Sequence, residues 1–327
     1  MQRRSCWKTE SWENSTWGCR RLLVVDVQVL LDVFINGLVY SNLLALLSIG
    51  LTLALLTSKV SNFAQGDFAV IGIYSAYTAS VLTQLSPYAH IPLAFTAGAS
   101  VAAAIYFLVF DKLRVRSTLV TLMIVSMAID MILRASMQLY ADFLQLTLRV
   151  YSRGFIFKDI TLDFAGFSLA GVLILSTLTT MLLLLTLYTL LFKTRVGIAM
   201  RAAIENPQLA ETLGINVRKV FALGWALSGG LGAVAGVFLP FRIPVNPDTG
   251  FTLLLSIFAS ATVGGLTSLT GSVVGAYIIG FSETLFTYAL SSLGLSTAYR
   301  PAVSFIAIIV TLLLAPSGVA SLWSRKR

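Results

Sequence analysis

Charge, histidine and cysteine are all scarce in this sequence, and each shortage removes a class of function. Only 11% of the 327 residues are charged and 57% are hydrophobic, whereas soluble globular domains carry roughly 25% charged residues. An ordinary soluble enzyme is excluded. The single histidine, His90, has no companions at metal-ligand spacing, and no cluster of His, Asp or Glu offers a catalytic constellation. Cys6 and Cys19 form neither a metal-ligand spacing nor a CxxC redox pair. There is no GxxxxGK[ST] phosphate loop, so no nucleotide is expected on this chain and its energy source must lie elsewhere.

What the sequence has instead is long apolar runs. About 20 apolar residues cross a bilayer core, and charge-free windows of that order recur from Val33 to the neighbourhood of the C-terminus. They place spans at about residues 33 to 57, 67 to 84, 93 to 110, 118 to 138, 167 to 192, 220 to 240, 252 to 265, 272 to 292 and 301 to 318. The fold class expected is all-α: a polytopic transmembrane bundle of eight to ten helices. Residues 27 to 327 form this membrane body, leaving no polar mass for a second domain. Residues 1 to 26 hold Trp7, Trp12, Trp17 and Arg20-Arg21 but lack the continuous apolar core of a signal peptide, and read as a polar tail.

The net charge of +9 is spread over short loops and termini, with no continuous basic face for nucleic acid. It reads better as orientation. Ser-Arg-Lys-Arg at 324 to 327 places the C-terminus inside, and counting back puts the loop at 193 to 219 inside, where Lys193, Arg195, Arg201, Arg218 and Lys219 make the densest basic cluster between spans. The loop at 111 to 117, with Lys112, Arg114 and Arg116, falls inside as well. Nine crossings leave the basic tail outside, against the rule, so the short window at 252 to 265 is a candidate broken helix, and the first window a candidate for two short segments.

Three polar stretches interrupt the pattern. Between the first two spans, Asn62, Gln65, Gly66 and Asp67 suit either a helix cap, with Asn62 or Asp67 as capping residue, or an irregular segment lining a substrate path. Between residues 195 and 216, a short amphipathic helix opens at Pro207 and stops at Gly214, with Leu209, Ala210, Leu213 and Ile215 on one face. Such a helix in the cytoplasm needs a partner to dock on. The third stretch, from Val263 to Ser272, carries Gly264 and Gly265 and suits a tight turn, a hinge or a site for a substrate carboxylate. Charges inside spans are costly. Asp130 and Arg134, four apart, can form a structural ion pair on one helix face, whereas Glu283 has no local partner and either touches the route or pairs with a base on another helix.

In order and spacing these stretches resemble the branched-chain amino acid ABC permeases of the LivH/LivM family, more closely the LivH type. Members carry Asn-Phe-Ala-x-Gly-Glu/Asp after the first long span, matched by Asn62, Phe63, Ala64, Gly66 and Asp67, with Gln65 where His is usual. Their cytoplasmic loop is matched by Arg201, Ala202, Glu205, Ala210, Leu213, Gly214, Ile215 and Asn216, and their Gly-Gly-x-Gly-Ser-x-x-Gly segment by Gly264, Gly265, Ser268 and Gly271, with Thr267 replacing the middle glycine.

The resemblance implies a permease subunit of an ABC importer in the inner membrane, moving branched-chain amino acids by alternating access. Its implied partners are a second permease (LivM-like or an identical copy), two cytoplasmic ATP-binding subunits that use ATP-Mg, an extracytoplasmic solute-binding protein and membrane lipid, with no cofactor on this chain. It marks Arg201, Ala202, Glu205, Asn206, Ala210, Glu211, Leu213 and Gly214 as the ATPase-coupling loop. Asn62, Gln65, Gly66, Asp67, Gly264, Gly265 and Glu283 are the candidates for the translocation path. The competing readings are a urea or amide permease of the same family, a secondary transporter working without ATP, and an integral-membrane enzyme. Few intramembrane carboxylates argue against the second and the missing catalytic cluster against the third.

Overall fold

The computed structural model describes residues 15–113, 117–164, 167–296, 299–315 and 318–319, with side chains described throughout except at 15–29 and 161–169. The first half of the polar tail, Arg114, Arg116 and the basic residues at 324 to 327 lie outside the described residues. Among the described residues twelve helices follow in chain order: α1 (Ser15–Ser58), α2 (Gln65–Thr83), α3 (Ile91–Ile105), α4 (Asp111–Leu113), α5 (Leu119–Leu148), α6 (Gly171–Lys193), α7 (Arg195–Glu205), α8 (Pro207–Thr212), α9 (Val217–Phe238), α10 (Thr249–Gly264), α11 (Leu269–Ser292) and α12 (Pro301–Leu314). A π-helical stretch, Tyr106–Phe110, joins α3 to α4.

Nine of these coincide with the nine windows drawn from the sequence, and six of the described helices are long and apolar enough to cross a membrane. The boundaries shift in three places. α1 reaches back to Ser15, through the second half of the expected tail. α5 runs ten residues past the expected end at 138, through Asp142 to Leu148. The window drawn from 167 begins as backbone strand, because Phe167–Ala170 (β2) pairs antiparallel with Thr161–Phe164 (β1), Thr161 opposite Ala170, and α6 starts only at Gly171.

Side-chain caps start the helices where the chain enters from loops. Thr118, Thr194, Asn206, Asn216 and Ser268 each accept a backbone N–H from three residues on, at 3.1 to 3.3 Å, satisfying donors that a helix N-terminus otherwise leaves bare.

At the centre stand α1 and α9, whose membrane windows are 83% and 78% buried, while those of α3, α5 and α6 are 22 to 28% buried and form the rim. What lets α9 sit there is its lack of side-chain bulk. A Cβ on Gly72 of α2 would run into the backbone of Ala233, one on Gly236 into the backbone of Ala69, and Gly98 of α3 and Gly229 of α9 face each other in the same way. Helices solvated by lipid gain little from burying apolar side chains against one another, so association relies on such close backbone approach. At the end of the bundle away from α7 and α8, aromatic side chains close the top: Tyr77 stacks on Phe155 at 4.1 Å and Tyr88 on Phe241 at 4.4 Å. An isolated bridge between Phe155 and Val245 ties these segments together.

This seam predicts a graded response. Gly72→Ala drives a methyl into fixed backbone and is expected to destabilise the purified protein by about 1–3 kcal/mol. Gly232→Ala, whose nearest neighbours would be the flexible Gln65 amide at 3.1 Å and Phe68 Cβ at 3.3 Å, should lower the thermal midpoint much less. Equal midpoints for the two variants would contradict the close-approach account.

Candidate functional site

Glu283 is the most densely bonded charge among the described residues of the bundle. Its carboxylate is 1% exposed, and four helices converge on it. From α1, Tyr40 donates its hydroxyl to Oε2 at 3.0 Å; from α10, Ser256 donates to Oε1 at 2.6 Å; from α12, Ser304 donates to Oε1. Arg300, at the start of α12, completes the set with an Nε–H to Oε2 contact of 3.0 Å, and its guanidinium lies 3.9 Å from the Tyr40 ring centroid. Of the two roles open to Glu283 from sequence, the geometry displays pairing with a base on another helix. Such a carboxylate, acceptor-only when ionised, has both oxygens supplied with donors.

The segment at 62 to 67 is also buried, but it is not a simple cap. Ala64 occupies the N-cap position of α2 and makes no side-chain cap bond, so neither Asn62 nor Asp67 caps the helix as one reading expected. Asn62 instead accepts the Ala64 N–H at 3.1 Å. Gln65 is held between helices: the single hydroxyl proton of Ser228 of α9 is shared between the Gly50 carbonyl at 2.7 Å and Gln65 Oε1 at 2.9 Å. Gly66 is where α2 meets α10, since a Cβ there would strike the Gly250 carbonyl. Asp67 is fully buried with no hydrogen-bond donor on either oxygen. It lies within electrostatic reach of Asp130, Arg134 and Asp248. Arg134 bonds Asp130 at 2.5 Å on the same face of α5 and stacks at 4.1 Å over Phe251 of α10.

Gly264 and Gly265 end α10. Gly264 abuts the backbone of Gly271, and Gly265 has φ of +106°, a conformation that only glycine takes without strain. Val319 donates its N–H to the Val263 carbonyl at 2.8 Å, closing the C-terminal segment over this turn.

At the opposite end from the aromatic cap, the stretch between α6 and α9 is a two-helix elbow rather than the single short helix expected from sequence. Asn206 ends α7, caps α8 and so sets the bend. Ala203, Ala210 and Val217 pack into a cluster with Phe221 and Trp225 of α9. Gly214 takes φ of +81°, and Ile215 donates back to the Ala210 carbonyl at 3.0 Å, as in a Schellman-type stop. The expected apolar face divides in two. Ala210 is buried and Ile215 half-buried, whereas Leu209 is 58% and Leu213 73% exposed, beside exposed Arg201, Glu205, Asn206 and Glu211. Arg218 pins the start of α9 to Asp111 of α4 at 2.7 Å.

The candidate residues thus fall into four places: the elbow, the α2 start with the Asp130–Arg134 pair, the α10–α11 turn at Gly264 and Gly265, and the Glu283 knot. Asn62 to Asp67, Gly264 and Gly265 hold helices together, and none of them lines the cavity beside Glu283, whose walls include Tyr40, Arg242 and Arg300. Tyr40, Ser256, Arg300 and Ser304 escaped sequence reasoning because nothing local marks them. The one available signal is Arg300-Pro301 opening an apolar run, a cation at a helix start where the dipole disfavours it unless a carboxylate is near.

Comparison with known proteins places this geometry in context. Residues 33–312 match the family described as branched-chain amino acid transport system, permease component. The chain is 42% identical to the probable branched-chain amino acid transport permease protein LivH of Methanocaldococcus jannaschii, over 89% of this chain and 92% of that one. It is 28% identical to the high-affinity branched-chain amino acid transport permease BraD of Pseudomonas aeruginosa, over 88% and 95%. The ribose import permease RbsC of Haemophilus influenzae is 25% identical over 86% and 84%. No solved structure matches.

Replacing Glu283 by Leu would strand Arg300 in a site built for a pair. Breaking a buried ion pair by removing one partner costs about 3–5 kcal/mol, and the low end applies because Arg300 retains 27% exposure. Glu283→Leu should therefore lower the thermal midpoint sharply, and adding Arg300→Leu should recover part of the loss. A double variant no better than the single one would show that the two residues are not energetically coupled.

Proposed function

This chain belongs to the branched-chain amino acid transport permease family, and from that premise we propose that it carries branched-chain amino acids as one permease half of an ATP-driven importer. It is a multi-pass membrane protein. In the proposed assembly two cytoplasmic subunits bind ATP-Mg, a second permease, either identical or LivM-like, completes the path, and an extracytoplasmic protein delivers the solute. ATP binding and hydrolysis in the partners then shift the permease pair between outward- and inward-open arrangements.

The observation that carries this reading is the elbow. Leu209 and Leu213 stand exposed on a short rigid bend whose other face is anchored in the α9 core. Two leucines flanked by Glu205 and Glu211, outside the membrane helices, offer an apolar knob with a charged rim, the composition of a docking surface. Because the elbow continues directly through Asn216 into α9, a push on it is a push on the central helix.

The double substitution Leu209→Asp, Leu213→Asp tests it. The permease should still insert and run as a folded species in detergent, while its affinity for the ATPase subunits falls about tenfold or more, the scale set by interface residues that dominate binding. Leucine uptake by the reconstituted complex should fall with it. Undiminished ATPase copurification and uptake would remove the elbow from the coupling role.

A further inference from the structure

Helix α5 has two open sides of different chemistry. Ile132, Leu139, Phe143 and Leu146 run along one of them, all apolar and all exposed. Met127, Met131, Arg134 and Gln138 run along another, at the i, i+4, i+7, i+11 spacing that keeps residues on one side of a helix. The first side suits lipid. The second does not, because it carries a guanidinium and an amide at the depth where lipid is driest.

Arg134 stands about 22 Å along α5 from Leu119 and about 21 Å from Leu148, in the middle of a helix that crosses about 30 Å of hydrocarbon. From there its side chain cannot snorkel to either interface. It is fastened where it lies, to Asp130 one turn back at 2.5 Å and over the Phe251 ring at 4.1 Å. Gln138, one turn on, donates to Asp248 at the start of α10 at 3.0 Å. The Arg134 side chain nevertheless remains 21% exposed. Phe251 and Met131 are exposed beside it, so no described segment of the chain closes over the row. Charge within a span faces other protein or water-filled space. Lipid is thereby excluded from a side that the chain itself leaves open.

We propose that this side of α5, with the facing edge of α10, is the wall of the aqueous route that the chain forms with its partner permease. The proposal rests on the reading of the chain as one half of an importer's permease pair, and it names what this half contributes. The Asp130–Arg134 pair presents both signs of charge with no net charge. Met127 and Met131 continue the row with flexible, polarizable apolar surface. A zwitterion with an aliphatic side chain meets a match for each of its parts there, and no unpaired charge holds it fast.

The substitutions Met127→Cys, Met131→Cys, Ile132→Cys and Leu139→Cys test it one at a time, in a chain whose Cys6 and Cys19 are replaced by serine, within the assembled complex in liposomes. Met131 and Ile132 are adjacent in depth and alike in exposure, 69% and 64%, so a difference between them reports what lies against each. A charged, membrane-impermeant thiosulfonate should modify Met127→Cys and Met131→Cys at least about tenfold faster than Ile132→Cys and Leu139→Cys. The reacting thiolate forms in water and is suppressed in hydrocarbon, and a thiol pKa raised by one unit already makes about a tenfold difference. Modified Met131→Cys should lose most of its ATP-driven leucine uptake relative to its own unmodified state, and Met127→Cys gives the same readout where Met131→Cys does not assemble. Equal rates at the four positions, no modification of Met127→Cys and Met131→Cys with or without ATP, or modification of both that leaves uptake intact would overturn the proposal. Any of these results in a complex that still takes up leucine leaves the importer standing and removes this wall. The expected rates in a complex whose wild type takes up no leucine sustain the aqueous wall and remove the amino acid importer.

Discussion

Lipid tails solvate a leucine about as well as a neighbouring helix does, so a bundle in a membrane must hold together by something other than apolar burial. Here that something is contact between backbones. α9 touches α2 and α3 at positions where at least one partner is glycine, and α10 meets α2 at Gly66 and Gly250 and α11 at Gly264, Gly271 and Gly275. Each contact fixes the distance and crossing of two helices to within the width of a methyl group. The polar groups of the bundle become usable because of that fixing: Ser228 reaches both Gln65 and the Gly50 carbonyl only when α1, α2 and α9 lie this close.

Polar groups placed in such a frame are either satisfied from several helices or left with a purpose to find. Glu283 is the first kind, taking donors from α1, α10 and α12 while belonging to α11. Those four helices are clamped at one level by a charge that would otherwise be costly in lipid. Arg242 is the second kind, with Nε and Nη2 buried and without a hydrogen-bond partner. The contrast separates a charge that fastens helices from a charge whose donors the bundle buries without an acceptor.

The helices themselves were legible because the absence of charge over some 20 residues is a one-dimensional property, and all nine windows correspond to helices in the structure. Boundaries failed where composition and backbone part company. Phe167 to Ala170 are apolar enough to extend a span but pair with residues 161 to 164 as a hairpin, and the span drawn to 138 stops short of Asp142, which α5 carries onward to bond Arg153. The elbow was visible as Pro207 and Gly214, but not the division of its leucines into exposed knob and the buried anchor of Ala210. Which side a residue faces depends on where α9 lies. Arg242 was illegible for a deeper reason: a missing partner is a fact about every neighbour at once, and sequence shows neighbours only along the chain.

α9 joins the two ends of this argument. Its first residue, Val217, follows the elbow directly, and the turn at its far end leads directly to Arg242. Twenty-two residues of helix amount to about 33 Å at 1.5 Å per residue, with no proline or break inside it. Close backbone approach seats it against α1, α2 and α3, so a displacement of α9 has to carry those contacts with it. The glycines that hold the bundle together therefore also seat the helix into which the elbow leads.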